Sequence, residues 1–212
     1  KKHNYAEAVA VRIEQPSADR ITPFCQHFGI CGGCKWQCLP YDKQIMHKQR
    51  QVEETLKRIA KVEMPEVSPI LGSKQTSAYR NKLEFGFCNK RWFTAEEVAS
   101  GATFDDTTSA GFHIPGAFDK ILDITACHLM DDINNRLRNG VKQYARQAGL
   151  SFYDYRENRG LMRNMMVRNA STGEQMVVMQ FCIHTTEAEA GARGVMDYIK
   201  ANFPEITSLT GV

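Results

Sequence analysis

With 212 residues, of which 42% are hydrophobic, the chain is long enough to bury the core of one large domain or two small ones. No apolar run approaches the roughly 18 residues that a membrane span needs. The charged first residues also lack the apolar stretch of a secretory signal, so we expect a cytoplasmic protein with no membrane partner. The chain begins with Lys rather than Met, which favours an excised fragment.

The net charge of +3 is unevenly distributed. Residues 1–60 carry a net charge of +4 and the remaining residues a net charge of −1. A basic stretch of this kind is either a solvated face or a surface that meets phosphate.

The first third of the chain predicts a strand, a cysteine-rich loop and a helix. Apolar and polar residues alternate in residues 5–14, as in a strand. Four of the seven cysteines then fall within "CQHFGICGGCKWQC", which starts at Cys25. Residues 41–62 place apolar side chains on one helical face, at Ile45, Val52, Leu56 and Ile59. Residues 64–73, with two prolines, are predicted to be a linker.

The rest of the chain alternates strand pairs with helices. A hairpin is predicted over 79–94, with a turn near Cys88–Lys90 and a returning strand from Trp92. A loop at 100–109 and a short strand at 120–125 precede an amphipathic helix over 127–150. A second hairpin over 160–183 turns at "NASTGE", and a last helix runs from a Thr186–Glu189 capping box to Pro204. This pattern predicts the α+β class.

The spacing Cys25-x5-Cys31-x2-Cys34 is typical of a metal-binding loop. Thiolates are ligands for zinc and for iron–sulfur clusters, and thiols stay reduced in the cytoplasm. Three local cysteines with one distant cysteine fit a [4Fe–4S] cluster, whereas structural zinc normally takes two Cys-x2-Cys pairs or a Cys/His pair. A zinc site, a disulfide knot and unliganded cysteines remain alternatives. Spacing alone leaves the fourth ligand open among the remaining cysteines: Cys38, Cys88, Cys127 and Cys182.

Four segments, taken together, resemble a known family. "CQHFGICGGCKWQ", "YDKQIMHKQRQV", "YRNKLEF" and "DITACHLM" are similar, in this order, to the iron–sulfur type of RNA (uracil-5-)-methyltransferase, whose best-known members modify 23S ribosomal RNA. The resemblance covers nearly the whole chain. It implies a [4Fe–4S] cluster held by Cys25, Cys31, Cys34 and, from "ITACHL", Cys127. Cys38 is then expected not to be a ligand.

The resemblance also implies a domain plan. Residues 1–24 match the tail of a TRAM (OB-like) RNA-binding barrel, residues 25–62 the cluster loop and basic helix, and residues 63–212 a central α+β domain. The family's Rossmann-like methyltransferase domain, which binds S-adenosylmethionine, is expected to be absent here. In the family a cysteine thiolate attacks uracil C6 and a base removes the C5 proton. We find neither residue, nor a cofactor loop, within the 212 residues, so we assign no catalytic residue and expect this fragment alone to be inactive.

RNA is the partner that the resemblance implies, ribosomal RNA first and transfer RNA second, and we expect a monomer. Basic side chains near the cysteines or on the first hairpin are candidates for phosphate contacts. These are Arg20, Lys35, Lys43, Arg80, Lys82, Lys90 and Arg91. Two alternatives of other classes are an iron–sulfur electron carrier and a zinc-bearing nucleic-acid-binding module.

Overall fold

The computed structural model describes residues 5–212, so the first four residues of the predicted 1–24 segment lie outside it. The chain forms two compact units. The first contains residues up to Phe24 together with Trp36–Gly72, and the second contains Cys25–Lys35 together with Ser73–Val212. No helix in the described part is long and apolar enough to cross a membrane.

The first unit contains helix α1, Tyr41–Glu54, which continues into a π-helical turn at Thr55–Ile59. This confirms the predicted helix up to its last residues. The predicted strand at residues 5–14 is wrong, because residues 5–24 adopt neither helix nor strand. Val9 and Val11 are 87% and 98% exposed. An alternating pattern makes a strand only when a neighbour completes its hydrogen-bond ladder.

The second unit is built on one six-stranded sheet. Its strands are β1 (Lys82–Cys88), β2 (Ser109–Ile114), β3 (Ala117–Asp123), β4 (Met162–Asn169), β5 (Gln175–Phe181) and β6 (Ser208–Gly211). They lie in the order β3-β2-β1-β4-β5-β6. All neighbours are antiparallel except β5 and β6, which are parallel.

Three helices accompany the sheet: α2 (Ala95–Ala99), α3 (Ile133–Gln147) and α4 (Thr186–Asn202). Alternate side chains of the central strands, such as Phe85 and Met165, are fully buried. They pack with the apolar stripes of α3 and α4 in one hydrophobic core. The α+β class is therefore confirmed, and both α4 and the β4–β5 hairpin form where they were predicted.

The hairpin predicted over 79–94 is wrong. β1 forms, but the backbone N–H groups of Arg91 and Trp92 donate to Thr107 and Ile121 rather than to β1. Thr94 and Glu97 then form a capping box that starts α2. At α4 the cap is Thr185 rather than Thr186, and its side chain accepts from the Ala188 N–H. The helix predicted from residue 127 begins only at Ile133.

Candidate functional site

The segment Cys25–Lys35, here called the cysteine loop, is a series of tight turns. The N–H of Phe28 donates to the Cys25 carbonyl over 3.1 Å, and the N–H of Cys31 donates to the His27 carbonyl over 3.0 Å. Gly32 has a φ of +73°, and a Cβ built on it would lie 2.6 Å from Pro115 Cγ. Only glycine meets both conditions without strain, which explains one of the glycines between the cysteines.

The cysteine loop is fastened to the segment that follows β3. His27 Nε2 accepts from the Thr125 backbone N–H over 3.0 Å, and Gln26 donates to the Thr125 hydroxyl. Burial beside the guanidinium of Arg138 lowers the pKa of His27. A lowered pKa keeps the imidazole neutral near pH 7, as an acceptor nitrogen requires. These bonds connect residues about 100 positions apart in the chain and bring the loop beside Cys127.

Cys127 is buried just before α3, and its backbone is held from two sides. The side chain of Asn135 accepts from the Cys127 N–H over 2.7 Å and donates to the Cys127 carbonyl over 3.3 Å. On the other side, the N–H groups of Ala78 and Arg80 donate to the carbonyls of His128 and Leu129. The thiol therefore projects from a backbone that is fixed before any ligand binds.

The four thiols predicted as ligands lie in the same unit, and the pKa values of two of them, Cys31 and Cys127, are raised. Burial raises the pKa of Cys31, and the neighbouring Cys34 and Cys25 raise it further. Burial likewise raises the pKa of Cys127, with Cys31 and Cys34 adding to the effect. All four cysteines are free of disulfides. A cation that binds here would displace protons from these thiols.

The thiols are not gathered tightly enough for a single ion. Among residues 5–212, no three His, Cys, Asp or Glu side chains are arranged to hold a metal ion. A zinc ion needs all its sulfur ligands at about 2.3 Å from one centre. A cluster instead binds each thiolate to a different iron, so its ligands stand further apart. The cluster and the zinc site therefore both stay predictions from the sequence.

The other three cysteines have different surroundings. Cys38 belongs to the first unit. Cys88 is buried in β1, where its thiol contacts the carbonyls of Lys90 and Asp119 at 3.5 Å. The sequence predicts Cys182 as a buried apolar residue, but it is half-exposed and its sulfur lies 3.2 Å from His184 Nε2.

The predicted RNA contacts fall into two groups. Lys43, Lys90 and Arg91 already have partners inside their units: Asp19 at 3.0 Å, Asp154 at 2.8 Å and Glu97 at 2.7 Å. The guanidinium of Arg91 also lies 4.2 Å from the Phe93 ring centroid. The others are exposed, with Arg20 in the first unit and Lys35, Arg80 and Lys82 in the second.

Lys82 lies directly opposite Arg168 across the β1–β4 ladder. Both side chains are exposed, and like charges in this position destabilise a sheet. Lys82 also has Glu84 at 3.9 Å, a long contact between exposed groups. The sequence pattern showed Arg168 only as a basic residue in a strand, since pairing across two strands is invisible before folding.

Sequence reasoning missed two residues beside Cys127, namely Asn135 and the buried Arg138. Both lie in α3, among polar residues of a strongly amphipathic helix. Their only signal in the sequence is their position, six and nine residues after "ITACHL".

The chain resembles proteins whose names place them among RNA methyltransferases. No protein-family profile matches it. It is 53% identical over 210 residues to an uncharacterized RNA methyltransferase of Bacteroides thetaiotaomicron, covering 99% of this chain and 46% of that protein. A Porphyromonas gingivalis protein of the same description is 46% identical over 214 residues, or 99% and 45% of the two chains. The chain thus spans about half the length of the curated relatives it matches.

One solved structure shares the fold. It is the Pyrococcus abyssi tRNA (uracil-54, C5)-methyltransferase in complex with S-adenosyl-L-homocysteine, with a TM-score of 0.54. The match covers 85% of this chain and 37% of that chain, at 20% sequence identity. At this identity the likeness concerns the fold alone.

Proposed function

We propose that this chain is the cluster-binding and RNA-contacting part of an S-adenosylmethionine-dependent RNA (uracil-C5-)-methyltransferase of the cytoplasm, with ribosomal RNA as substrate. The methyltransferase class is supported by the relatives' names and by the fold of the tRNA enzyme. One observation supports the cluster: hydrogen bonds hold the cysteine loop against Thr125, two residues before Cys127, although the two segments lie far apart in the chain.

The residues present suit a [4Fe–4S] group in a structural role. Such a group would supply four iron–thiolate bonds between the cysteine loop and the start of α3. The protein itself contributes glycine-permitted turns, a backbone at Cys127 held by Asn135, and the anchor between His27 and Thr125. It also contributes Arg138 Nε, a buried donor without a partner, which suits an anionic neighbour.

Phosphate contact is the second part of the proposal. Lys82 and Arg168 face each other across β1 and β4, and the exposed Arg80 lies two residues before Lys82 in the chain. A phosphate placed between them would relieve the repulsion of two like charges. The Lys82→Ala/Arg168→Ala variant should bind RNA more weakly and lower the salt slope by about 1.4, since each single-strand phosphate contact contributes about 0.7. Lys200→Ala, on the exposed face of α4, is the matched control and should change neither.

Metal analysis tests the cluster directly. Protein purified without oxygen, or reconstituted with iron and sulfide, should be brown and contain about four irons and four sulfides per chain. Stoichiometric zinc without iron in an iron-replete preparation would contradict the proposal and favour a zinc-bearing module.

Measurements of RNA binding and of methyl transfer distinguish the proposed function from that of an iron–sulfur electron carrier and from that of an active enzyme. An electron carrier would show a reversible redox couple but no salt-dependent affinity for RNA. Residues 1–212 alone should transfer no methyl group to RNA from S-adenosylmethionine, because they contain no assigned nucleophile or base. Methyl transfer by this chain would show that catalytic residues were overlooked.

A further inference from the structure

Arg138 is a fully buried arginine one helical turn from Asn135 in α3. Its Nη2 donates to the Thr125 carbonyl over 2.8 Å and to Asn139 Oδ1 over 3.1 Å. Its Nη1 donates to Asn135 Oδ1 over 3.3 Å, and the guanidinium lies 5.0 Å from the centroid of the Phe85 ring. Every one of these partners is electrically neutral.

The positive charge of Arg138 therefore has no carboxylate in direct contact within the described chain, although Asp123 lies near enough to favour the charged form. It forms no ion pair there, and the nearby Asp123 is bound instead to Lys142, over 2.5 Å. Arg138 Nε is buried and has no hydrogen-bond partner. Burial lowers its pKa to about 10, opposed by Cys127 and Asp123, so the guanidinium remains protonated at neutral pH. A buried, unpaired charge of this kind is strongly destabilising.

The segment around Cys127 is where a negative charge could compensate the guanidinium of Arg138. Asn135 Oδ1 accepts from both Arg138 and the N–H of Cys127, so the guanidinium and the cysteine are held in one hydrogen-bonded unit. A [4Fe–4S] cluster bound by four thiolates would be a net anion beside Cys127. Asp123 is already paired with Lys142, so a further anion would be placed on the Cys127 side of the guanidinium.

We infer that Arg138 is a positioning residue that compensates the negative charge of the cysteine-bound cluster and thereby sets its stability and reduction potential. This inference rests on the proposed function. It predicts that the charge of Arg138 has opposite effects on the stability of the apoprotein and of the cluster-bound protein. Without a cluster, Arg138 is an uncompensated buried charge that weakens the fold. With a cluster, the same charge is paired and strengthens it.

The test uses Arg138→Met and Arg138→Lys in the 212-residue chain, each measured as apoprotein and after reconstitution. We expect the Met variant to leave the melting temperature of the apoprotein unchanged or higher, because an apolar side chain replaces an unpaired charge. The reconstituted Met variant should lose iron to a chelator roughly 10-fold faster than wild type, the usual scale for a residue behind the ligands. Its reduction potential should be more negative, because the reduced cluster carries the greater negative charge.

The Lys variant separates charge from hydrogen bonding. It keeps the cation but loses the planar fork that binds Thr125 and Asn135, so its potential should stay near that of wild type. Arg136→Met is the matched control, since Arg136 lies on the same helix but is exposed and bound to Glu205. It should alter neither the potential nor the rate of iron loss.

Two results would overturn the inference, and they are distinguishable. If Arg138→Met lowers the stability of apoprotein and cluster protein alike, with an unchanged potential, Arg138 merely caps the Thr125 carbonyl. If the wild-type chain takes up no iron and sulfide at all, the proposed cluster fails and the inference fails with it.

Discussion

Cys127 is distinguished from the other distant cysteines by its surroundings rather than by its type. Its backbone is fixed by Asn135, and its thiol interacts with Cys31 and Cys34. We expect Cys127→Ser to lose the cluster, as Cys25→Ser, Cys31→Ser and Cys34→Ser should, because a serine hydroxyl is a poor ligand for iron–sulfur iron. Iron and sulfide content per chain is the measurement.

Cys88→Ser is the matched control for this prediction. Cys88 is as buried as Cys127, but its sulfur faces the carbonyls of Lys90 and Asp119. The variant should keep a full cluster, as should Cys38→Ser and Cys182→Ser. A cluster that survives Cys127→Ser and disappears in Cys38→Ser would assign the fourth ligand to Cys38.

Gly32 and Gly29 allow backbone strain to be separated from steric clash. Both have positive φ, but a Cβ on Gly29 meets nothing within 4 Å, whereas one on Gly32 meets Pro115. Gly29→Ala should lower the free energy of unfolding by about 1 kcal/mol, the cost of a left-handed alanine. Gly32→Ala should lower it further and displace Cys31 and Cys34, so its iron content should fall. Equal effects in urea unfolding would mean that the Pro115 contact is unimportant.

Residue-level prediction from sequence succeeds where the information is local. Cys25, Cys31 and Cys34 lie within ten positions, so their spacing alone indicates a metal loop. Arg138 could not be found this way. Leu137 and Val141, on the apolar face of its helix, are buried, as the amphipathic pattern predicts. In the sequence pattern, Arg138 belongs to the polar face of α3. It is buried because β1 and the Cys127 segment pack around the helix.

At the scale of elements, the segment after β1 shows two local signals in competition. Alternating apolar residues predict a returning strand at Trp92, whereas "TAEE" at Thr94–Glu97 matches the capping box of a helix start. The capping box prevails, because the Glu97 carboxylate also binds the guanidinium of Arg91 at 2.7 Å and 3.2 Å. The hairpin prediction overlooked this stronger signal, although it was present in the sequence.

This capping box gives a pH-dependent prediction. The Arg91 guanidinium and the Thr94 N–H hold the pKa of Glu97 below its ordinary value. Its stabilisation is therefore complete above the ordinary Glu pKa of about 4.3 and is lost as the pH falls through the lowered value. Glu97→Gln should cost about 1 kcal/mol at pH 7 and progressively less in acid.

Urea unfolding at a series of pH values measures this difference. Glu66→Gln, an exposed carboxylate in the other unit, is the control and should remain within about 0.5 kcal/mol of wild type at every pH. If Glu97→Gln lowers the free energy of unfolding by the same amount at every pH, the loss comes from poorer packing of the amide and not from the missing charge.

At the scale of the whole molecule, the sequence predicts the class of fold but not the order of the sheet. The β4–β5 hairpin was predictable because a short polar turn of five residues, 170–174, joins its strands. β1, however, pairs with β2 and β4, and β6 returns across α4 to lie parallel to β5. β2 and β6 were missed because short segments such as "SLTG" become strands only when a neighbouring edge is in place.

The long stretch of chain between the cysteine loop and Cys127 determines how much a cluster would stabilise the fold. Hydrogen bonds between His27 and Thr125 close a loop of about 100 residues, and each contributes only about 1 kcal/mol net. A covalent closure of that length stabilises a fold by up to about 4.7 kcal/mol in the chain-entropy description. Iron–thiolate bonds to Cys31, Cys34 and Cys127 would act in this way, so we expect a structural cluster rather than a redox switch.

Cluster removal and cluster reduction should therefore have different consequences. Removing the cluster should lower the melting temperature and release Lys35, whose proposed phosphate contact would depend on a fixed cysteine loop. RNA affinity should fall, and the salt slope should flatten by about 0.7 for that one contact. One-electron reduction leaves every iron–thiolate bond in place, so it should change neither stability nor affinity. Calorimetry and RNA titration on apo, oxidised and reduced protein make the comparison. A severalfold change in affinity on reduction alone would show that the cluster senses redox state.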